Sequence, residues 1–354
     1  MSVVLQGTGS YLPERIIKND YFMNHVFMTP DGVPFDKPQE EIIAKLEAIT
    51  GIKERRYISE KGDSVPLMVA AAEKTLADSG LDKNDIDGII VAHNAGNMLE
   101  GRDGFHTVPN FAAILKNRLA ISNYDCFAYD ILFGCPGWIQ GIIQAKQAIE
   151  AGDATNVLVL GIEVASRLLD PHDLDSMILA DGCGAAIISK SDKKDKGILS
   201  YATYSHAQED LGCIYLDKSN NPDLDAPTLF KMNGKEVYRY ATIWVPKVIK
   251  KALDKAGLDS DDIDMFLFHQ ANGKMLHAFA NNLASMYGKE GGSFEGKIPT
   301  TIEFTGNTSV ATVPNMLDMI LKNQLGNYKI KKGQTVVMAS VGAGMHCNAL
   351  VYKF

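Results

Sequence analysis

Short, nearly unbroken apolar runs alternate along this chain with longer stretches in which apolar residues recur every three or four positions. The runs at residues 88–92, 156–161, 265–268 and 335–340 have the length of strands and little polar character, the pattern of strands covered on both sides, and a further apolar strand leads from Tyr129 to Phe133. The first residues, MSVVLQGTGS, read as a further strand. Between the runs, residues 68–79, 137–151 and 244–256 have helical periodicity. Strands alternating with helices predict an α/β protein with a parallel or mixed sheet buried on both faces.

The pattern repeats. Residues 80–87 read GLDKNDID and residues 257–264 read GLDSDDID, with six of eight positions identical and an offset of 257 − 80 = 177 in a chain of 354. Each copy follows a helix that ends at a glycine and precedes an apolar run with a polar end, HNAGN in one case and HQANGK in the other. A looser echo pairs NVLVLG at 156–161 with QTVVMA at 334–339. Two echoes at nearly one offset predict a duplication. Two similar α/β halves, residues 1–190 and 191–354, would pack face to face with sites at strand ends between them. The charged stretch SKSDKKDK at 189–196 is the expected end of the first half.

Composition narrows the function. Thirty-five Lys and Arg against 43 Asp and Glu give a net charge of −8, which argues against a general nucleic-acid binder. No apolar stretch is long enough to span a membrane, and the first residues lack the cationic region of a signal peptide. Five cysteines form no CxxC pair, so free thiols in the cytoplasm are expected and a zinc site is not.

Four places offer chemistry. Cys135 follows an apolar strand and Gly134 and precedes Pro136 and a helix. A thiol at a helix N-terminus feels the positive end of the helix dipole, which favours a nucleophilic thiolate; the plain alternative is a small buried hydrophobe. His269, at the end of the run 265–268, suits a base, an oxyanion donor or a capped core histidine. Asn307 lies in TGNTS, where Gly-Asn also marks an ordinary tight turn. Gly342, Ala343 and Gly344 follow a strand; their backbone N–H groups suit an oxyanion, and a simple chain reversal explains them equally well. Gly7-Thr8-Gly9 lacks the third glycine of a dinucleotide fingerprint, and GGSFEGK at 291–297 lacks the phosphate-loop spacing.

In combination these residues resemble the β-ketoacyl–acyl-carrier-protein synthase III family of the thiolase superfamily. The resemblance runs through TGIKERRY at 50–57, AYD at 128–130 leading to Cys135, DGCGAA at 181–186, MNGKEV at 232–237, HQAN at 269–272, GNTS at 306–309 and the C-terminal Gly-Ala-Gly. It implies a thiolase-like fold, two duplicated halves in a five-layer αβαβα sandwich. Cys135 would accept an acyl group, and His269 with Asn307 would hold the malonyl thioester during decarboxylation. The backbone of Cys135 and of residues 342–344 would form an oxyanion hole. The resemblance further implies no metal or redox cofactor, a homodimer, and acyl carrier protein docking at Lys274 and Arg239. Family members that use small acyl-CoA primers clamp the adenine between a Trp and an Arg. Here no Trp occurs in residues 23–49, and Ile49 and Leu174 stand at the arginine positions. A carrier-bound acyl donor, or a related ketosynthase of secondary metabolism, is therefore the alternative to fatty acid initiation from acyl-CoA. The loop at 95–108 looks longer than usual for the family, with a bearing on acyl-chain preference.

Overall fold

The computed structural model describes residues 2–60, 62–97, 106–193, 195–224 and 228–354. A five-stranded sheet is built from β1 (Ser2–Tyr11), β2 (Gly88–His93), β3 (Phe127–Leu132), β4 (Asn156–Val164) and β5 (Asp181–Ser191), in the order β1-β5-β4-β2-β3. A four-stranded sheet contains β6 (Gly197–Ser205), β7 (Met265–Phe268), β8 (Thr335–Gly342) and β9 (His346–Lys353), in the order β6-β9-β8-β7. In the first sheet β2 runs parallel to β4, while β5 is antiparallel to both β4 and β1. The second sheet repeats this, with β7 parallel to β8 and β9 antiparallel to both β8 and β6. Only the counterpart of edge strand β3 is missing among the described residues.

The acidic turns explain why the duplicated octapeptide persists. Helix α1 (Val65–Ser79) and helix α4 (Gly234–Ala256) both end on a left-handed glycine, Gly80 with φ +71° and Gly257 with φ +69°. Asp82 then accepts from the Asn84 N–H and Asp259 from the Asp261 N–H, each opening one 3₁₀ turn. The last aspartate of each copy ties its strand to the neighbour: Asp87 accepts from Asn156 N–H at 3.0 Å and Asp264 from Thr335 N–H at 2.8 Å. This register makes Asn156 equivalent to Thr335, an offset of 335 − 156 = 179, so the looser echo aligns one residue later than its apolar character suggested. The turn after β5 also starts later than expected, because Ser189 to Ser191 still pair with β1.

Between the sheets lie α3 (Gly137–Ala151) and α6 (Thr312–Leu321). Their apolar faces, with Ile142 and Met316 among them, meet Val157 and Val159 of β4 and Val336 and Met338 of β8. The alternate residues Leu158 and Leu160 face outward onto α1 and α2 (Phe111–Arg118). Phe266, Phe268 and Val337 face α4 and α5 (Gly273–Met286). Helix, sheet, helix, sheet, helix: five layers, as the thiolase-like fold requires. Trp138, 1% exposed, anchors the middle layer and donates its indole N–H to the Val159 carbonyl at 3.3 Å. Trp138→Ala is expected to lower the unfolding free energy by about 3–5 kcal/mol, measured by chemical denaturation.

Helix α4 begins ten residues before the periodic segment read at 244–256 and runs through Pro246. The proline removes the N–H that would bond the Thr242 carbonyl, and Asn282 Nδ2 donates to that carbonyl instead at 2.8 Å.

Candidate active site

Strand β3 leads through Phe133 and Gly134 to Cys135. Gly134 has φ +64°, and a Cβ there would lie 2.7 Å from the Ala343 nitrogen. The turn thus needs glycine twice over, for its dihedral and for the backbone of the second half pressed against it. Pro136 caps α3, and its carbonyl accepts from Asn348 Nδ2 of β9 at 3.0 Å. Cys135 is thereby fixed at the seam between the halves.

His269 follows β7, and its backbone N–H donates to Ala339 of β8 at 2.8 Å. The next side chain is fully used: Gln270 Oε1 accepts from Thr301 N–H at 2.7 Å and Ile302 N–H at 2.9 Å, while Nε2 donates to Pro299 at 2.9 Å. Gln270 therefore ties the strand end to residues 299–302. Asn307 is held through both backbone groups, donating to Ile178 and accepting from Ala180. Its Oδ1 accepts from the Ser309 N–H at 2.8 Å, which leaves Nδ2 to face the site.

Cys135, His269 and Asn307 all line one cavity of about 350 Å³. Ala343 and Gly344 line it too, and Gly342 packs directly against the Cys135 backbone. The walls are mostly apolar, with Leu132, Phe133, Ile214, Leu216, Phe230 and Met232 among them. Burial lowers the His269 pKa to about 4, against a hydrogen bond with the Ser309 backbone that raises it. The imidazole is therefore neutral at physiological pH, a group that can hydrogen-bond without carrying charge.

Residues 129–207 match the family described as 3-oxoacyl-[acyl-carrier-protein] synthase III, and residues 253–354 match its C-terminal part. The β-ketoacyl-[acyl-carrier-protein] synthase III of Staphylococcus haemolyticus is 33% identical over 355 residues, covering 100% of this chain and 99% of that one. This chain belongs to the β-ketoacyl-[acyl-carrier-protein] synthase III family. The solved Thermus thermophilus synthase III superposes with a TM-score of 0.79 at 29% identity over 99% of both chains. The priming β-ketosynthase of the R1128 polyketide pathway gives a TM-score of 0.79 at 25% identity, over 100% of this chain and 96% of that one. The protein is an acyl-transferring condensing enzyme of the synthase III type.

Within this synthase III site, the expectation that the helix terminus favours a thiolate is corrected. Cys135 is only partly exposed, and burial pushes its thiol up to about 12; the nearby Glu163 charge adds to this while the Ser309 hydroxyl opposes it. Desolvation outweighs the helix terminus, and the resting thiol carries its proton.

Three polar residues beside Cys135 escaped the sequence reading. Ser309 Oγ lies 3.2 Å from Cys135 Sγ, and Asn94 Nδ2 donates both to Ser309 Oγ, at 3.0 Å, and to Glu163. Glu163 is the one acid in β4, within a stretch from Val157 to Val164 that is otherwise apolar and fully buried, and that was the available signal.

Other expected features are placed less simply. Lys274 is exposed at the start of α5. Arg239 is exposed but already paired with Glu236 at 2.7 Å and Asp210 at 3.3 Å. Leu174 packs against the cluster of Ile17, Phe22 and Phe27. The loop at 95–108 falls partly outside the described residues, at positions 98–105. Among the described residues there is no group of ligands that could hold a metal ion, and no helix long and apolar enough to cross a membrane.

Proposed function

We propose that this enzyme loads an acyl primer onto Cys135 and condenses it with a malonyl group on acyl carrier protein, the initiating step of fatty acid synthesis. The observation that carries the reading is a single apolar cavity lined by Cys135, His269 and Asn307. In the first half-reaction the Cys135 sulfur attacks the primer thioester and the donor leaves as a thiol. In the second, the malonyl carboxylate departs as carbon dioxide, and the enolate oxygen is held by neutral His269 and Asn307 Nδ2. The enolate carbon attacks the acyl-Cys carbonyl; the resulting oxyanion rests on the backbone N–H of Cys135 and of residues 342–344. The carbon–sulfur bond then breaks and the sulfur regains a proton. Electrons balance without metal or redox cofactor, and we assign a cytoplasmic homodimer.

The apolar residues Ile49 and Leu174, at positions where acyl-CoA-using relatives carry arginine, favour a carrier-bound primer and support a second reading, a priming ketosynthase of secondary metabolism. Offering matched acyl-CoA and acyl-carrier donors, then weighing the intact protein and identifying products with malonyl-carrier protein, tests both. Acylation at Cys135 followed by a β-ketoacyl product is expected. Hydrolysis of the donor with no condensation product would overturn the assignment.

The acidic carrier would dock on Lys274, with Arg239 a weaker contributor because two carboxylates already hold it. Lys274→Glu is expected to raise KM for malonyl-carrier protein roughly tenfold, with little change in kcat on a small thioester, a difference steady-state kinetics measures directly.

A further inference from the structure

Cys135 must lose a proton to become a nucleophile, and His269 does not receive it by direct contact: among the described residues the only hydrogen-bond partner of Cys135 Sγ is Ser309 Oγ. Ser309 accepts from Asn94 Nδ2, which leaves its own hydroxyl proton free to be donated. The carboxylate of Glu163 shares Asn94 with that hydroxyl, and the Ser309 side chain helps to hold its pKa down against the larger effect of burial. Ser309 and Glu163 are 4% and 5% exposed, and no lysine or arginine pairs with Glu163 among the described residues. Ser309 also holds φ at +49°, a conformation costly for a non-glycine residue and typical of functional positions. A buried carboxylate with no cationic partner, joined through Asn94 to the serine that contacts the sulfur, is expensive to keep for stability alone.

We propose that Glu163 is the proton acceptor for the Cys135 thiol, reached through the Ser309 hydroxyl, and that it holds this proton while the acyl group is on the sulfur. In the acylation step the sulfur forms its bond to the acyl carbon and the thiol proton moves to Ser309 as the Ser309 proton moves to Glu163. The primer leaves as a thiolate and takes a proton from solvent. When the condensation breaks the carbon–sulfur bond, Glu163 returns its proton through Ser309 to the sulfur. The balance closes with one solvent proton consumed per turnover, as decarboxylative condensation requires. Negative charges on Glu163 and on Cys135 disfavour one another, so a single charge shared along the relay is the stable arrangement. The other groups that act on Glu163 are His93, whose Nε2 lies 3.0 Å from Asp130, and Asp181, whose carboxylate accepts from Ile58 and Ser166.

The inference rests on Cys135 as the acyl acceptor, and the test separates the two ideas. Single-turnover acylation is followed by intact mass against pH for the wild-type protein and for Glu163→Gln, Glu163→Asp and Ser309→Ala. Wild-type acylation should rise with pH as Glu163 loses its proton near 7 and then level off. Glu163→Gln and Ser309→Ala should each slow acylation by about 10²-fold or more and abolish that limb. The double variant should be no slower than the slower single one, and Glu163→Asp should recover part of the rate with the limb. If Glu163→Gln does not fold, the Ser309→Ala profile decides alone. A wild-type rate in Glu163→Gln, or a slower rate that keeps the wild-type pH limb, overturns the relay. Failure of the wild-type protein to acylate at Cys135 overturns the functional reading itself.

Discussion

Cys135→Ala is expected to carry no acyl adduct after incubation with a donor that labels the wild-type protein, and to lose condensation by on the order of 10⁴-fold or more. The size of the effect follows from the absence of a substitute. Cys126, Cys183, Cys213 and Cys347 are buried, and none of them lines the cavity. Burial pushes each of these thiols up, Cys347 to about 12. The fold should survive, because the Sγ makes no hydrogen bond other than to Ser309 among the described residues. The loss should also be selective. His269 and Asn307 are held by their own backbone bonds, to Ala339 in one case and to Ile178 and Ala180 in the other. The variant should therefore still decarboxylate malonyl thioester, without forming a carbon–carbon bond. Intact mass measures the first half-reaction and carbon dioxide release the second. An adduct retained by Cys135→Ala would move the nucleophile elsewhere.

What the chain discloses in advance divides along physical lines. The octapeptide repeat was legible because its parts act locally: a left-handed glycine ends a helix, an aspartate caps a 3₁₀ turn, and a second aspartate ties down the neighbouring strand. The register of the second echo was not, since a strand covered on both faces has no polar alternation to mark which residue stands opposite which. The start of α4 was hidden by Pro246, whose cost is offset by Asn282 from 36 residues further along, a contact no local reading supplies. At the site, Cys135, His269 and Asn307 were accessible because each sits next to a glycine turn or a strand end. Ser309 and Asn94 come from separate segments and acquire meaning only where the fold joins them to Glu163 and to the sulfur, and Glu163 alone left a trace, as a lone acid in an apolar run. The thiol's protonation was misjudged for a related reason: the helix terminus is written in the sequence, whereas the desolvation that outweighs it belongs to the assembled cavity.

Gly342→Ala is expected to reduce condensation by about 10²–10³-fold and to lower the stability of the protein as well. Gly342 is in extended backbone with φ −173°, which alanine adopts without strain, so the effect is one of space rather than of dihedral. A Cβ at this position would overlap the Cys135 backbone nitrogen and lie 2.9 Å from Pro136 Cδ and 3.0 Å from Cys135 Cβ. Neither neighbour can retreat easily, because Pro136 caps α3 and its carbonyl is bonded to Asn348. The new methyl must therefore push apart the two backbone segments whose N–H groups would hold the oxyanion, and it must shift the nucleophile with them. Both half-reactions pass through a tetrahedral oxyanion on the acyl carbon, so acylation and condensation should fall together. Decarboxylation of malonyl thioester, which depends on His269 and Asn307, should fall much less. Parallel measurement of the three rates checks this, and an unchanged acylation rate in Gly342→Ala would remove residues 342–344 from the oxyanion site. Gly344→Ala tests the same turn differently: with φ +75° and a Cβ overlapping the His346 ring, it is expected to lose stability as well as activity. Comparing the two variants separates crowding of the Cys135 backbone from strain at a left-handed position.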